Sequence, residues 1–203
     1  CIRDRFDLSH YDRYRVINTR RIGAKSSYDC DNSIDEDGCN NAKKNYTDID
    51  FALRYTQKNL NSDLGVFVAQ ESDESFTRGK NFYALRSKTK VDNRSIGYFL
   101  THVVDNFTNE KATVNVVDFT NIKSDKLTLY NDILFSEKEG DSGLGIRSQF
   151  TYQPTPLVRR SGSILYFEDS FKLNDFGYLK KDDWFHFGVG SDLTKINFKE
   201  SST

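Results

Sequence analysis

The stretch Gly143-Leu144-Gly145-Ile146-Arg147-Ser148-Gln149-Phe150-Thr151-Tyr152-Gln153 decides how the chain folds. Leu144, Ile146, Ser148, Phe150 and Tyr152 alternate with Gly143, Gly145, Arg147, Gln149, Thr151 and Gln153. Successive side chains of a strand point to opposite faces, so this period of two predicts a strand with one apolar and one wet side. Segment 81–91 repeats the pattern, with Tyr83, Leu85 and Val91 on one face and Arg86, Lys88 and Lys90 on the other. In 185–193, Phe185, Phe187, Val189 and Leu193 oppose His186, Gly188, Gly190 and Asp192, with Trp184 preceding on that second face.

Working outward, strands are predicted near 49–58, 63–71, 80–91, 95–105, 111–122, 126–138, 143–154, 162–172 and 183–194. The breaks between them hold Asn, Asp, Ser, Gly or Pro, which tolerate turn geometry, and no helix-period segment of useful length stands out. Short polar turns favour hairpins over crossovers. The expected fold is therefore all-β, an antiparallel up-and-down meander of about 8–10 long strands, with residues 49–203 forming the meander. Residues 1–48 read as an N-terminal strand and a long loop carrying an acidic segment bracketed by cysteines.

Two architectures produce such two-faced strands. One is a sandwich or small barrel with an apolar core, and the other is a membrane barrel that is apolar outside and wet inside. Strand length favours the second, since a tilted strand needs ~9–11 residues to cross a bilayer. So do the Arg, Lys, Gln and Gly on the wet faces, and the aromatics near strand ends (Tyr98, Phe99, Phe119, Tyr130, Phe135, Tyr152, Tyr166, Phe167), placed as interfacial girdles are. Asp118 and Asp132, in mid-strand, interrupt the alternation and argue the other way. The pattern alone leaves both architectures open.

Composition bounds the function. The 203 residues carry 29 basic and 30 acidic side chains, for a net charge of -1, which gives no electrostatic case for nucleic acid. With 36% apolar residues and a mean hydropathy of -0.68, a helical membrane bundle is excluded. Aromatics at 14% exclude a disordered chain, which is poor in them. Methionine is absent and the chain opens at Cys1, as expected of a processed product or a fragment.

Cys30 and Cys39 bracket a polar loop, and their separation suits a disulfide and an oxidising compartment, against the alternative of two free thiols. Between them, Asp31, Asp35 and Asp37 precede Gly38 in the manner of a calcium loop. With Ser33 as the first position, however, Lys44 stands where a bidentate Glu belongs, so a solvated acidic loop is the plainer reading. No other cofactor is indicated. His10, His102 and His186 have no ligand partner at metal spacing, and neither G-x-S-x-G nor a P-loop occurs. No catalytic residue is singled out. In the barrel reading Arg86, Lys88, Lys90, Arg147 and Gln149 face the lumen, where the cations meet Asp118, Asp132 and Asp169.

Several stretches resemble a bacterial outer-membrane β-barrel family of unknown function. "NTRRIG" (18–23) is similar to that family's "YSRRIG" entry, and 48–74 and 82–103, with "SIG" at 95–97, resemble its next hairpins. "KATVNVVDF" (111–119), "LFSEKEGDSGLG" (134–145) and "FKLNDFGYLKKDDW" (171–184) resemble three later stretches, in consistent order. The family's barrel normally follows a family-nine-like carbohydrate-binding module, which this chain lacks, and needs more strands than the sequence supplies. The resemblance implies an internal section of a barrel in the bacterial outer membrane. Lipid is the implied partner, other chains complete the wall, and the role is non-catalytic transport, docking or scaffolding linked to carbohydrate handling. The alternatives are a soluble exported β-sandwich that binds glycan or protein, and a glycan hydrolase.

Overall fold

A computed structural model describes residues 9–10, 13–25, 30, 35–73 and 79–194. Its main element is a nine-stranded antiparallel sheet. The strands are β3 (Ile49–Lys58), β4 (Ser62–Glu71), β5 (Lys80–Val91), β6 (Arg94–Asp105), β7 (Lys111–Ser124), β8 (Leu127–Lys138), β9 (Asp141–Thr155), β10 (Val158–Phe167) and β12 (Trp184–Leu193). Each pairs with its neighbour in sequence, apart from the small β11 (Tyr178–Leu179), which leaves this sheet. β11 pairs with β2 (Tyr14–Arg15), which pairs with β1 (Ser9–His10). The expected all-β meander of long strands is thus the observed fold. Among the described residues it is not closed into a barrel, and β3 and β12 form its two edges.

The turns explain the register. Lys138 pairs with Asp141 across Glu139 and Gly140, which both take positive φ (54° and 89°), as a two-residue turn matched to strand twist requires. Asp92, at φ 50°, opens the two-residue turn between Val91 and Arg94. At the end of the sheet that holds this β5–β6 turn, every connection is short: 59–61, 92–93, 125–126 and 156–157. The opposite end carries 72–79, 106–110 and 168–183, with only 139–140 tight.

Among the described residues, one face of the sheet is covered and the other bare. The N-terminal segment 13–22 and the long connection 168–183 lie across the covered face, joined by β2–β11 pairing and by hydrogen bonds from Asn18 N to Phe176 O (2.8 Å) and from Lys180 N to Arg13 O (2.9 Å). From this strap Tyr14, Val16, Phe171, Leu173, Phe176 and Leu179 pack onto Phe67, Phe82, Phe99, Val116, Leu134 and Phe167 of the sheet. The Phe176 ring lies 5.1 Å from Phe82, and Phe171 5.3 Å from Phe167. Gly143 makes the approach possible, because a Cβ there would lie 2.3 Å from the Phe171 backbone nitrogen.

Three expectations need correction. The strand expected at 162–172 runs instead from 158 to 167, because Phe171 and Leu173 turn into the strap rather than continuing the ladder. The stretch 26–48, read as loop, contains a helix, α1 (Glu36–Ala42), whose N-cap Asp35 accepts a hydrogen bond from Gly38 N. Of the aromatics assigned to girdles, Phe99 and Phe167 are fully buried under the strap, and Tyr130 lines a cavity on the covered face.

Candidate functional site: an ion-paired cavity on the covered face

Beyond the strap the covered face turns polar. One inward row runs across the strands as Lys88, Gly97, Asp118, Asp132 and Arg147, each directly opposite the next. Two carboxylates facing each other on adjacent strands repel, so the arrangement needs cations. Arg86 supplies one, with both guanidinium Nη atoms donating to the two oxygens of Asp118, one of them at 2.9 Å. It reaches over Gly97, where a Cβ would collide with both partners, so only glycine leaves room for the pair. Arg147 supplies the second, with Nε 2.6 Å from Asp132 Oδ2.

Asp132 is 1% exposed and also accepts the Tyr14 hydroxyl hydrogen bond at 2.5 Å. Burial pushes the Tyr14 phenol well above its ordinary range, and the Asp132 carboxylate adds to the rise, so Tyr14 stays a donor. The guanidinium of Arg147 lies 5.9 Å from the Tyr14 ring and that of Arg86 5.6 Å from the Phe99 ring. The charged row is thereby tied to the apolar half of the covered face.

A cavity of 520 Å³ opens beside this row. Arg86, Lys88, Asp118, Asp132, Arg147 and Arg159 bring its charges, and Thr, Gln and Tyr130 side chains of β7, β8 and β9 line the rest. Four of the five residues read as lumen-facing (Arg86, Lys88, Arg147, Gln149) therefore share one cavity. Lys90 does not line it and instead pairs with Asp63 at 3.0 Å. Of the expected carboxylate partners Asp118 and Asp132 hold, whereas Asp169 is spent on a turn, accepting from Ser170 N. Sequence reasoning gave no role to Tyr14, Gly97 or Arg159.

Scans against protein-family models and curated proteins find no match. The site is therefore read from its chemistry alone. Each of the carboxylates Asp118 and Asp132 is paired with an arginine.

The remaining assignments lie elsewhere. Cys30 and Cys39 are bonded, as expected, and both are buried. Asp35 caps α1 and Asp37 lies within it, while Asp31 falls outside the described residues. Among the described residues no group of three or more His, Cys, Asp or Glu side chains is placed to hold a metal.

Proposed function

We propose that the sheet is a section of the wall of a bacterial outer-membrane β-barrel, non-catalytic, with its bare face toward lipid and its covered face toward a strapped, aqueous interior. One observation carries this reading: every strand of the sheet presents an exposed apolar side chain on the bare face, while the buried ion pairs Arg86–Asp118 and Arg147–Asp132 lie on the other. Leu53, Leu64, Tyr83, Ile96, Val117, Ile133, Ile146, Ile164 and Phe185, one from each strand, are all exposed. Water-soluble sheets bury such a face, and lipid is the solvent that accepts it.

The path of the apolar residues adds support. Strand pairing defines a row Gln57, Leu64, Ser87, Tyr98, Val117, Ile133, Ile146, Tyr166, Phe185. On β3 the apolar side chains Tyr55, Leu53 and Phe51 lie on one side of that row, and on β12 Phe187 and Val189 lie on the other. The apolar band therefore crosses the sheet obliquely, as a lipid layer crosses strands that tilt within a barrel. Strands of 10–15 residues are long enough to span. Short turns at one end and longer connections at the other match the asymmetry of outer-membrane barrels. The two edges, in this reading, are paired by further strands that complete the wall, and the cavity serves transport or docking of a solute linked to carbohydrate handling.

The test is association with lipid. Refolded from urea in the presence of phosphatidylcholine vesicles, the chain is expected to float with the vesicles and to shield its bare face from aqueous labelling of cysteines placed at Ile133 and Ile146. A soluble monomer that stays out of the lipid fraction, with both sites masked by a second sheet, refutes the reading and favours the sandwich.

A further inference from the structure

We infer that the cavity beside the ion-pair row binds an acidic saccharide. The inference deepens the barrel reading by naming the class of solute that its interior handles.

Charge comes first. Within the cavity Arg86 is matched by Asp118 and Arg147 by Asp132. Lys88 and Arg159 also line it, and neither makes an ion pair among the described residues. The lining thus keeps two positive charges beyond those its own carboxylates neutralise. The nearby cation Lys90, by contrast, is paired to Asp63 outside the cavity. Cations beside already neutralised pairs attract an anion without disturbing the structural ion pairs.

The rest of the lining sets the ligand's body. Thr120, Thr128, Tyr130, Gln149, Thr151 and Gln153 stand on β7, β8 and β9, and among the described residues no aliphatic side chain joins them. Hydroxyls and amides both donate and accept, so they suit a ligand covered in hydroxyls that do the same. Tyr130 is the aromatic residue of the lining among the described residues, and an aromatic ring suits the C–H side of a sugar. An apolar ligand finds no partner here, and a bare small anion leaves most of these groups unused. The volume of 520 Å³ falls within the ~300–1,000 Å³ typical of small-molecule sites.

The experiment is isothermal titration of the full chain in detergent with digalacturonate, with lactose as a neutral disaccharide and with inorganic phosphate. Digalacturonate is expected to bind at least tenfold more tightly than either of the others. Lys88→Gln and Arg159→Gln should each weaken it about tenfold, while Lys90→Gln leaves it unchanged. Circular dichroism of each variant checks that the sheet is intact. Lactose binding as tightly removes the claim of charge recognition. Phosphate binding as tightly reduces the site to a general anion site and overturns the saccharide claim. No binding at all, or no loss in the Lys88 and Arg159 variants with the sheet intact, overturns the inference outright. Vesicle flotation is scored separately, so failure here is distinct from failure of the membrane reading.

Discussion

Replacing Asp132 by alanine removes the group on which two elements converge. Asp132 accepts from Tyr14 of the strap and holds Arg147 of the neighbouring strand, at 2.5 and 2.6 Å. Breaking a buried ion pair from one side costs ~3–5 kcal/mol, because the remaining charge stays buried. Asp118 cannot take over Arg147 freely, since both its oxygens are engaged by Arg86. Two effects reduce the loss. Arg147 borders the cavity, so water can reach it, and removing Asp132 relieves its repulsion with Asp118, worth ~0.2–1 kcal/mol for facing like charges. The expected net destabilisation is about 2–3 kcal/mol. The triple variant Asp132→Leu, Arg147→Met, Tyr14→Phe removes charge and hydroxyl together and should lie nearer the parent than Asp132→Ala does. Urea titration in detergent, followed by the fluorescence of Trp184, the only tryptophan in the chain, reads both, because Trp184 packs against the core. A loss below ~1 kcal/mol for Asp132→Ala, or a triple variant less stable than the single, refutes the view that the pair is held by burial.

Four other outcomes are expected. Ile146→Arg places a charge on the bare face and should cost ~2–4 kcal/mol of folding into vesicles if it lies near the lipid midplane, whereas Thr151→Arg on the covered face should cost much less; equal losses in vesicle refolding count against the lipid assignment. Because the Tyr14 phenol is raised in the folded state, its contribution is full below the ordinary tyrosine range near pH ~10 and is lost as pH climbs from there toward the folded value; urea midpoints between pH 9 and 11 should therefore fall more steeply for the parent than for Tyr14→Phe. Reduction of Cys30–Cys39, which closes a short loop, should cost ~2–3 kcal/mol, measured by denaturation with and without dithiothreitol. Gly97→Val should displace Arg86 from Asp118 and destabilise more than Gly190→Val, where an added Cβ meets nothing closer than 3.6 Å; comparable losses in thermal melts would falsify the steric argument.

The strands were legible in the sequence because the chain alternates over long runs. The expected segments 49–58 and 80–91 coincide with β3 and β5 and the turn at 92–93 sits where Asp and Asn stand, whereas the strand expected from 143 already starts at Asp141, after a turn at 139–140. The faces were legible too: Arg147 is buried on the covered side, and Ile146 and Phe150 are exposed on the other. The strap was not. Phe171, Leu173, Phe176 and Leu179 show no regular spacing, since an irregular segment pressed onto a sheet answers to the holes beneath it rather than to its own period. Tyr14 escaped for a related reason, its acceptor lying 118 positions along the chain. Asp118 and Asp132, which counted against the membrane barrel, line the cavity, where each is paired with an arginine.

The number of strands in the sheet has a consequence for closure. Directions alternate from each strand to the next, so a meander of nine begins and ends on strands that run the same way. Were β3 and β12 to meet directly, their seam would be parallel. Two copies turned about a common barrel axis would inherit the same mismatch at both junctions. Bacterial outer-membrane barrels made from a single chain are antiparallel throughout and have even strand counts. In such a wall the gap between β12 and β3 takes an odd number of additional strands, the first and last running opposite to β3 and β12, which a copy turned about the barrel axis does not supply.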